Sequence, residues 1–140
     1  SPAPAAPPGS AQPAARIQDG LPPGGARLVS LTTYPDYDTP AILKAYGKKE
    51  GANFHIWSFL TGTKPEIKKL ARDSLKLTAM EKPADQQESP NDLFIHSTIF
   101  VVVDKHARLR GVFETIGDGI QPQAVTARIL AAVKRLDREP

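Results

Sequence analysis

The residue best suited to chemistry is His96, which stands just before the most apolar segment of the chain. It belongs to the run Leu93-Phe-Ile-His-Ser-Thr-Ile-Phe-Val-Val-Val-Asp104. An imidazole at the edge of a buried sheet can ligate a metal or carry a proton. A core histidine bonded to a backbone carbonyl fits the same spacing, and spacing alone favours that structural role. The sequence contains no cysteine, so thiolate ligands and thiol catalysis are excluded within these residues.

A second group of polar side chains surrounds the first clear helix start, Asp38-Thr39-Pro40. Asp36 and Asp38 flank Tyr37, and a carboxylate so close to a helix N-terminus is typically a cap instead of a catalytic acid or base. Tyr34 could hydrogen-bond near a site, although a partly buried aromatic side chain is the better interpretation. We therefore assign no catalytic residue in this group.

The remaining candidates have no suitably spaced partners. His55 at a strand start and His106 in a tight turn are predicted to face solvent, with no further ligand at metal-binding spacing. Met80, the one methionine, borders a long loop and is interpreted as a packing residue. Trp57 and Phe59 are predicted to lie in the core. No phosphate-binding glycine loop or hydrolase elbow occurs, so no cofactor-binding residue is assigned.

Length and composition narrow the class of protein. A chain of 140 residues, 40% hydrophobic and 24% charged, suffices for one globular domain with a core. The net charge of +3 comes from basic residues mixed with acids over three predicted helices, which argues against nucleic-acid binding. No apolar run reaches the ~18 residues that span a bilayer. Because the chain begins with Ser1 instead of Met, we expect a processed form or an excerpt.

The pattern along the chain predicts alternating strands and helices. Residues 1–15 are rich in proline and alanine and are predicted to be a disordered linker, followed by one domain over 16–140. The predicted elements are a strand at 28–33, a helix from Pro40 to Gly51, a strand at 55–60, a helix opened by the Thr63–Glu66 capping box, a polar excursion at 78–92, a strand at 98–103, a return strand at 108–114, and a helix from Pro122. This order predicts an α/β layered fold, with the 98–103 strand buried on both faces.

Four segments together resemble the Sco/SenC family of thioredoxin-fold copper chaperones. Leu28–Pro40 is similar to a strand ending in V-D-P-x-x-D-T-P, and the Trp57–Gly62 run is similar to W-x-F-L-T-G. The His96-Ser-Thr run is similar to the family's H-S-x motif, and Leu109–Phe113 to its return strand. The likeness covers residues 16–137 and implies a thioredoxin-like three-layer α/β fold.

The resemblance implies a copper site that is incomplete in this chain. In such proteins two cysteines in a C-x3-C motif join a histidine, here His96, as copper ligands, and they also support thiol–disulfide exchange. The cysteines lie in a core strand and helix upstream of the segment that Leu28 begins. Arg16–Gly20 resembles only the tail of that helix, so the fold is expected to be incomplete at its first core strand and helix. Tyr34 stands where the family has the aspartate of V-D-P.

The missing strand is central in a thioredoxin-type sheet, between the strands at 28–33 and 98–103. Its loss is expected to leave two apolar strands with unpaired edges. We expect these strands either to close together imperfectly or to mediate self-association.

Three functions follow as expectations. The first is a Sco-like copper chaperone or thiol–disulfide oxidoreductase of cytochrome c oxidase assembly, inactive in copper transfer and redox chemistry as the chain stands. The resemblance implies an oxidase subunit as partner and a location in the periplasm or on the outer face of an energy-transducing membrane. The alternative is a non-catalytic thioredoxin-fold module that binds a protein. Peroxiredoxin-like activity is disfavoured because it also needs a thiolate.

Overall fold

Local capping signals set the start of two helices. In the computed structural model, which describes residues 11–32, 35–75, 99–115 and 118–140, Thr39 accepts a hydrogen bond from the backbone N–H of Ile42. Thr63 and Glu66 form the predicted capping box, each side chain accepting from the other residue's backbone N–H. These contacts satisfy amide groups that a helix start leaves without intrahelical partners.

The described elements follow the predicted order, with one additional helix at the beginning. They are α1 (Ala11–Gly20), β1 (Leu28–Leu31), α2 (Pro40–Lys49), β2 (Trp57–Leu60), α3 (Lys64–Lys69) continued by a π-helical segment (Leu70–Ser74), β3 (Ile99–Val103), β4 (Leu109–Glu114) and α4 (Pro122–Asp137). The predicted excursion at 78–92 lies outside the described residues. None of the helices in the described ranges is long and apolar enough to cross a membrane.

The four strands form two separate pairs. β1 and β2 are parallel, with Leu28 opposite Trp57, whereas β3 and β4 are antiparallel, with Val101 opposite Val112. Within the described ranges, no hydrogen bonds join β1 to β3. The expectation that β1 and β3 close together is therefore wrong for the residues described, because β1 pairs with β2 and β3 pairs with β4.

One core extends over both strand pairs. Its buried members come from α1, from both strand pairs and from α4. They are Ala14, Ile17, Leu28, Trp57, Val102, Val125, Ile129 and Leu136. Trp57 stacks on Phe59 with ring centroids 4.9 Å apart, and its indole N–H donates to Ser30 Oγ at 2.9 Å. The prediction that Trp57 and Phe59 lie in the core is confirmed, with Phe59 partly buried.

The predicted linker boundary is wrong, because α1 begins at Ala11 within the segment expected to be disordered. Pro13 lies in the first turn, where a missing N–H does not break a helical hydrogen bond. Ala14 and Ile17 are buried and alanine is the best helix former, so packing and alanine propensity together outweigh the preference of proline for extended structure. Residues 1–10 lie outside the described part of the chain.

A glutamine ties α1 to the connection between α2 and β2. The Gln18 amide donates to the carbonyl oxygen of Gly51 at 3.1 Å and accepts from the Asn53 N–H at 2.6 Å. Because the side chain is almost completely buried, both of its polar groups need partners, and this pair of bonds provides them. The position of α1 is thereby coupled to the segment that leads into β2.

The strand β3 is less buried than its apolar sequence predicts. Val102 is buried, but Val103 is 46% exposed, and Ile99, Phe100 and Val101 are only partly buried. A strand needs covering layers on both faces to be buried on both. The described contacts of β3 are with β4 and α4, so burial on both faces is wrong for this strand.

Candidate functional site

The structure describes only some of the residues that the sequence singles out. His96, Tyr34 and Met80 lie outside the described residues, so their predicted roles stay predictions. Asp38, by contrast, is described and lies in the connection between β1 and α2. This connection follows the carboxyl end of a parallel strand, the edge at which α/β sheets commonly place their sites.

Asp38 is a buried residue and does not cap α2. Its side chain has no exposed surface, and the N-cap position of α2 is taken by Thr39. The Thr32 hydroxyl, just beyond the end of β1, donates to Asp38 Oδ2. The capping role predicted for Asp38 is therefore wrong, because the neighbouring threonine supplies the cap and the carboxyl group turns inward to β1.

Burial controls the protonation of Asp38. Removal from water raises the pKa of its carboxyl group above the usual value of 3.8, and the hydrogen bond from Thr32 lowers it by less. Among the described residues, Oδ1 has no hydrogen-bond partner. Burial of a carboxylate with one oxygen lacking a described partner disfavours its ionised form. Asp38 therefore releases its proton at a higher pH than an exposed aspartate does.

The other carboxylate of the connection faces solvent. Asp36 forms an ion pair with Lys64 at 2.9 Å, with the Asp36 side chain 56% exposed. Lys64 is the first residue of α3, so the pair links the turn after β1 to the start of that helix. Asp36 and Asp38 thus differ in role although they are separated by one residue.

The two described histidines do not form a metal site. His55 and His106 are both exposed, as predicted. Across the described ranges, no group of three or more histidine, cysteine or acidic side chains could hold a metal ion. The whole chain also lacks cysteine. The residues present therefore do not fit the set of two thiolates and one imidazole that the resemblance implies for copper.

Sequence reasoning missed a polar cluster at the turn between β3 and β4. Asp104 ends the apolar run, and its side chain is only 3% exposed. Its Oδ1 accepts from the backbone N–H groups of His106 and Arg108, at 2.9 and 3.0 Å. Its Oδ2 accepts from Arg108 Nε at 2.9 Å and from a terminal guanidinium nitrogen of Arg110 at 3.0 Å. Both oxygens are therefore fully used.

These donors reverse the effect of burial on Asp104. Burial alone would raise the pKa of its carboxyl group, but the hydrogen bonds from backbone and guanidinium groups outweigh it and hold the pKa well below the usual value of 3.8. Asp104 therefore stays ionised, and it fixes the shape of the turn.

The cluster also attaches the end of the chain to the hairpin. Arg110 donates to both oxygens of Glu139, at 2.8 and 3.1 Å, and this pairing raises the pKa of Arg110 and lowers that of Glu139. Lys105 donates to the carbonyl oxygens of Asp137 and Glu139. The sequence contained one signal for this cluster, since Asp104 and Arg108 are four residues apart, a spacing at which ion pairs form. No sequence signal indicated the contact between Arg110 and Glu139.

Comparisons with known proteins agree with this architecture. The SCO1/SenC family profile matches residues 4–134. A solved structure, the crystal structure of a SCO1/SenC family lipoprotein from Bacillus anthracis str. Ames, matches with a TM-score of 0.68 and 25% sequence identity. The match covers 92% of this chain and 71% of that one. A search of curated proteins found no match. The predicted resemblance and the α/β, thioredoxin-like fold class are confirmed.

Proposed function

This chain belongs to the SCO1/SenC family, and we propose that it is a Sco-like protein that neither carries copper tightly nor exchanges thiols on its own. The observation that carries the proposal is the absence of cysteine from all 140 residues. Thiol–disulfide exchange requires a thiolate that attacks a disulfide sulfur, and no side chain of this sequence can substitute for it.

Copper is the cargo that the family implies, and this chain has few side chains suited to bind it. Thiolates are the ligands that favour Cu(I), and affinity grows with the number of ligands that converge on the ion. His96 occupies the position of the family's histidine ligand by motif, and we propose that it keeps this position as part of an incomplete site. An isolated imidazole gives weak binding that a competing chelator overcomes.

The family also suggests where the protein works and with what. The matching structure is described as that of a lipoprotein, which supports a membrane-anchored, extracytoplasmic location, in the periplasm or its equivalent. The partner that the family resemblance supports is a cytochrome c oxidase subunit. Without copper transfer, the contribution of this chain to oxidase assembly would be to bind that subunit.

A Cu(I) titration tests both parts of the proposal. We expect a chromophoric chelator to remove all copper from the wild-type protein. Without the chelator, weak uptake is expected to fall in His96→Ala and to persist in His55→Ala, a matched control in which an exposed histidine is removed. Copper retained against the chelator would contradict the inactive role. Equal uptake by the two variants would contradict the assignment of His96.

A second candidate function is a protein-binding module, and the exposed strand residues favour it. Each strand carries one large apolar side chain that is about half exposed: Val29 at 55%, Leu60 at 45%, Val103 at 46% and Val112 at 50%. In the described ranges each strand has one partner strand, and an open strand edge is a template for pairing with another chain. Such a module would act through the edges of β1 and β3, either on an extended segment of a partner or on a second copy.

Solution behaviour tests this second function. We expect wild-type protein to elute in a concentration-dependent manner on size-exclusion chromatography and to melt over a broad range of temperature, since open strand edges pair with other chains. A single monomeric peak at every concentration, together with a sharp cooperative melt, would contradict it.

A further inference from the structure

The outward row of β4 has charges of opposite sign on the two sides of a central valine. Along this strand, burial alternates so that Arg110, Val112 and Glu114 are exposed while the residues between them are partly buried. On the inward row, Phe113 packs against the core, and the guanidinium carbon of Arg128 lies 6.0 Å from its ring centroid. The inward row therefore fixes which face of β4 reaches the surface.

This strand also offers free hydrogen-bonding groups. In the described part of the chain, β4 pairs with β3 alone. In an antiparallel pair, alternate residues direct both N–H and C=O away from the partner strand. Within the described ranges, alternate residues of β4 thus present backbone donors and acceptors along one edge, with an irregularity of the β3–β4 register at Arg110, and such an edge is the template for adding another strand.

The charges on this edge select the strand that fits it. Edges protected against self-pairing usually carry charges that repel an identical strand. β4 instead carries Arg110 and Glu114, of opposite sign, each two residues from Val112. When this sequence is laid antiparallel to itself about Val112, each arginine lies opposite the glutamate of the other copy, and opposite charges in directly facing positions attract.

Arg110 retains the capacity for such a contact. Its contacts with Asp104 and Glu139 involve three hydrogen bonds, and a guanidinium group has five N–H donors. Its side chain is 31% exposed. The residue can thus anchor the chain terminus and face a second copy simultaneously.

We propose that the protein forms a two-fold dimer in which β4 pairs antiparallel with β4 of a second copy, centred on Val112. The pairing joins the two β3–β4 hairpins into one four-stranded sheet. It buries the half-exposed Val112 against Val112 of the second copy. It also places Arg110 of each copy opposite Glu114 of the other. The dimer requires neither copper nor the edges of β1 and β3, so it stands independently of the proposed function.

Single-cysteine cross-linking tests the register directly, because the chain has no cysteine of its own. We expect Val112→Cys to give a covalent dimer with a short bis-maleimide linker, since facing residues at a two-fold axis have closely spaced Cβ atoms. Ile42→Cys is the matched control, an exposed apolar residue at 41% on α2, and should form the same dimer without becoming cross-linked. Failure of Val112→Cys to cross-link, or equal cross-linking of Ile42→Cys, would overturn the proposal.

A charge reversal tests the pairing without a cross-linker. Glu114→Arg places arginines opposite each other and should raise the dimer dissociation constant about tenfold, measured by sedimentation velocity. Asp19→Arg changes the net charge equally at an exposed position on α1 and should leave the constant near the wild-type value. Circular dichroism melts verify that both variants fold. Equal weakening by both variants, or no dimer in the wild-type protein, would overturn the proposal.

Discussion

The connection between β1 and α2 and the turn between β3 and β4 each contain an aspartate that is almost completely shielded from water. Asp38 in the connection has no exposed surface, and the Asp104 side chain is 3% exposed. Their pKa values nevertheless move in opposite directions. Burial raises the pKa of Asp38 above 3.8, whereas four donated hydrogen bonds hold that of Asp104 below 3.8.

Hydrogen-bond donors, more than burial, therefore decide in which direction the pKa of a shielded carboxyl group moves. Asp38 receives one described hydrogen bond, from the Thr32 hydroxyl. Asp104 receives two from backbone N–H groups and two from guanidinium groups. Charged donors contribute about twice as much as neutral ones. The first region therefore tolerates a neutral side chain, while the second depends on a charge.

The largest effect is expected from Asp104→Asn. The amide retains an acceptor for the backbone donors, but its NH₂ group faces the guanidinium groups of Arg108 and Arg110, so donor meets donor. We expect the melting temperature at pH 7 to fall by roughly 5 °C, measured by calorimetry.

The pH dependence supplies the control for this first variant. The pKa of Asp104 is lowered by folding, so its stabilising contribution is complete above the unfolded value of 3.8 and is lost as the pH falls through and below it. The difference between wild type and variant should therefore shrink in acid. A constant difference from pH 7 to below 3.8 would refute the role of the charge.

The same substitution at Asp38 is expected to act in the opposite direction. Asp38→Asn removes a carboxyl group whose ionised form is penalised by burial, so the variant should match or exceed the wild-type stability at pH 7, by up to about 1 kcal/mol. Because folding raises this pKa, the gain is absent below 3.8 and develops as the pH rises through that value toward the folded pKa. Urea unfolding at several pH values measures it; a clear loss of stability at pH 7 would contradict the assignment.

The smallest effect is expected from Asp36→Asn, which serves as an exposed reference for both. It breaks the ion pair with Lys64, whose acidic partner is 56% exposed. Exposed pairs contribute little because water and salt screen them, so we expect a loss below about 0.5 kcal/mol that disappears in high salt. Denaturant titration with and without added salt measures this. A loss as large as that of Asp104→Asn would remove the distinction between shielded and exposed carboxylates.

The order of elements could be predicted because its signals are local. The Thr63–Glu66 capping box needs only four consecutive residues, and the buried stripe of α4 follows from 3.6-residue periodicity. The start of α1 could not be predicted in this way. Ala14 and Ile17 are helical and buried, and their partners lie on α4, more than one hundred residues later in the sequence.

The candidate site was less predictable than the fold. Spacing placed Asp38 beside a helix start, but it could not decide whether Asp38 or Thr39 would supply the cap, because both side chains can accept the same hydrogen bond. The choice is made by Thr32, which offers Asp38 a buried hydroxyl donor. The bond between Arg110 and Glu139 spans 29 residues, so it depends on how α4 returns to the hairpin.

The buried amide of Gln18 has a mechanical consequence. A force applied to the chain ahead of Ala11 would be resisted first by the buried contacts of Ala14 and Ile17 and then by the bonds of Gln18 to Gly51 and Asn53. The load would pass through those two bonds to the segment entering β2, and so to Trp57 in the centre of the core. A protein held by its amino-terminal end and pulled by a partner would therefore resist at this junction once the turns of α1 ahead of Gln18 had been loaded.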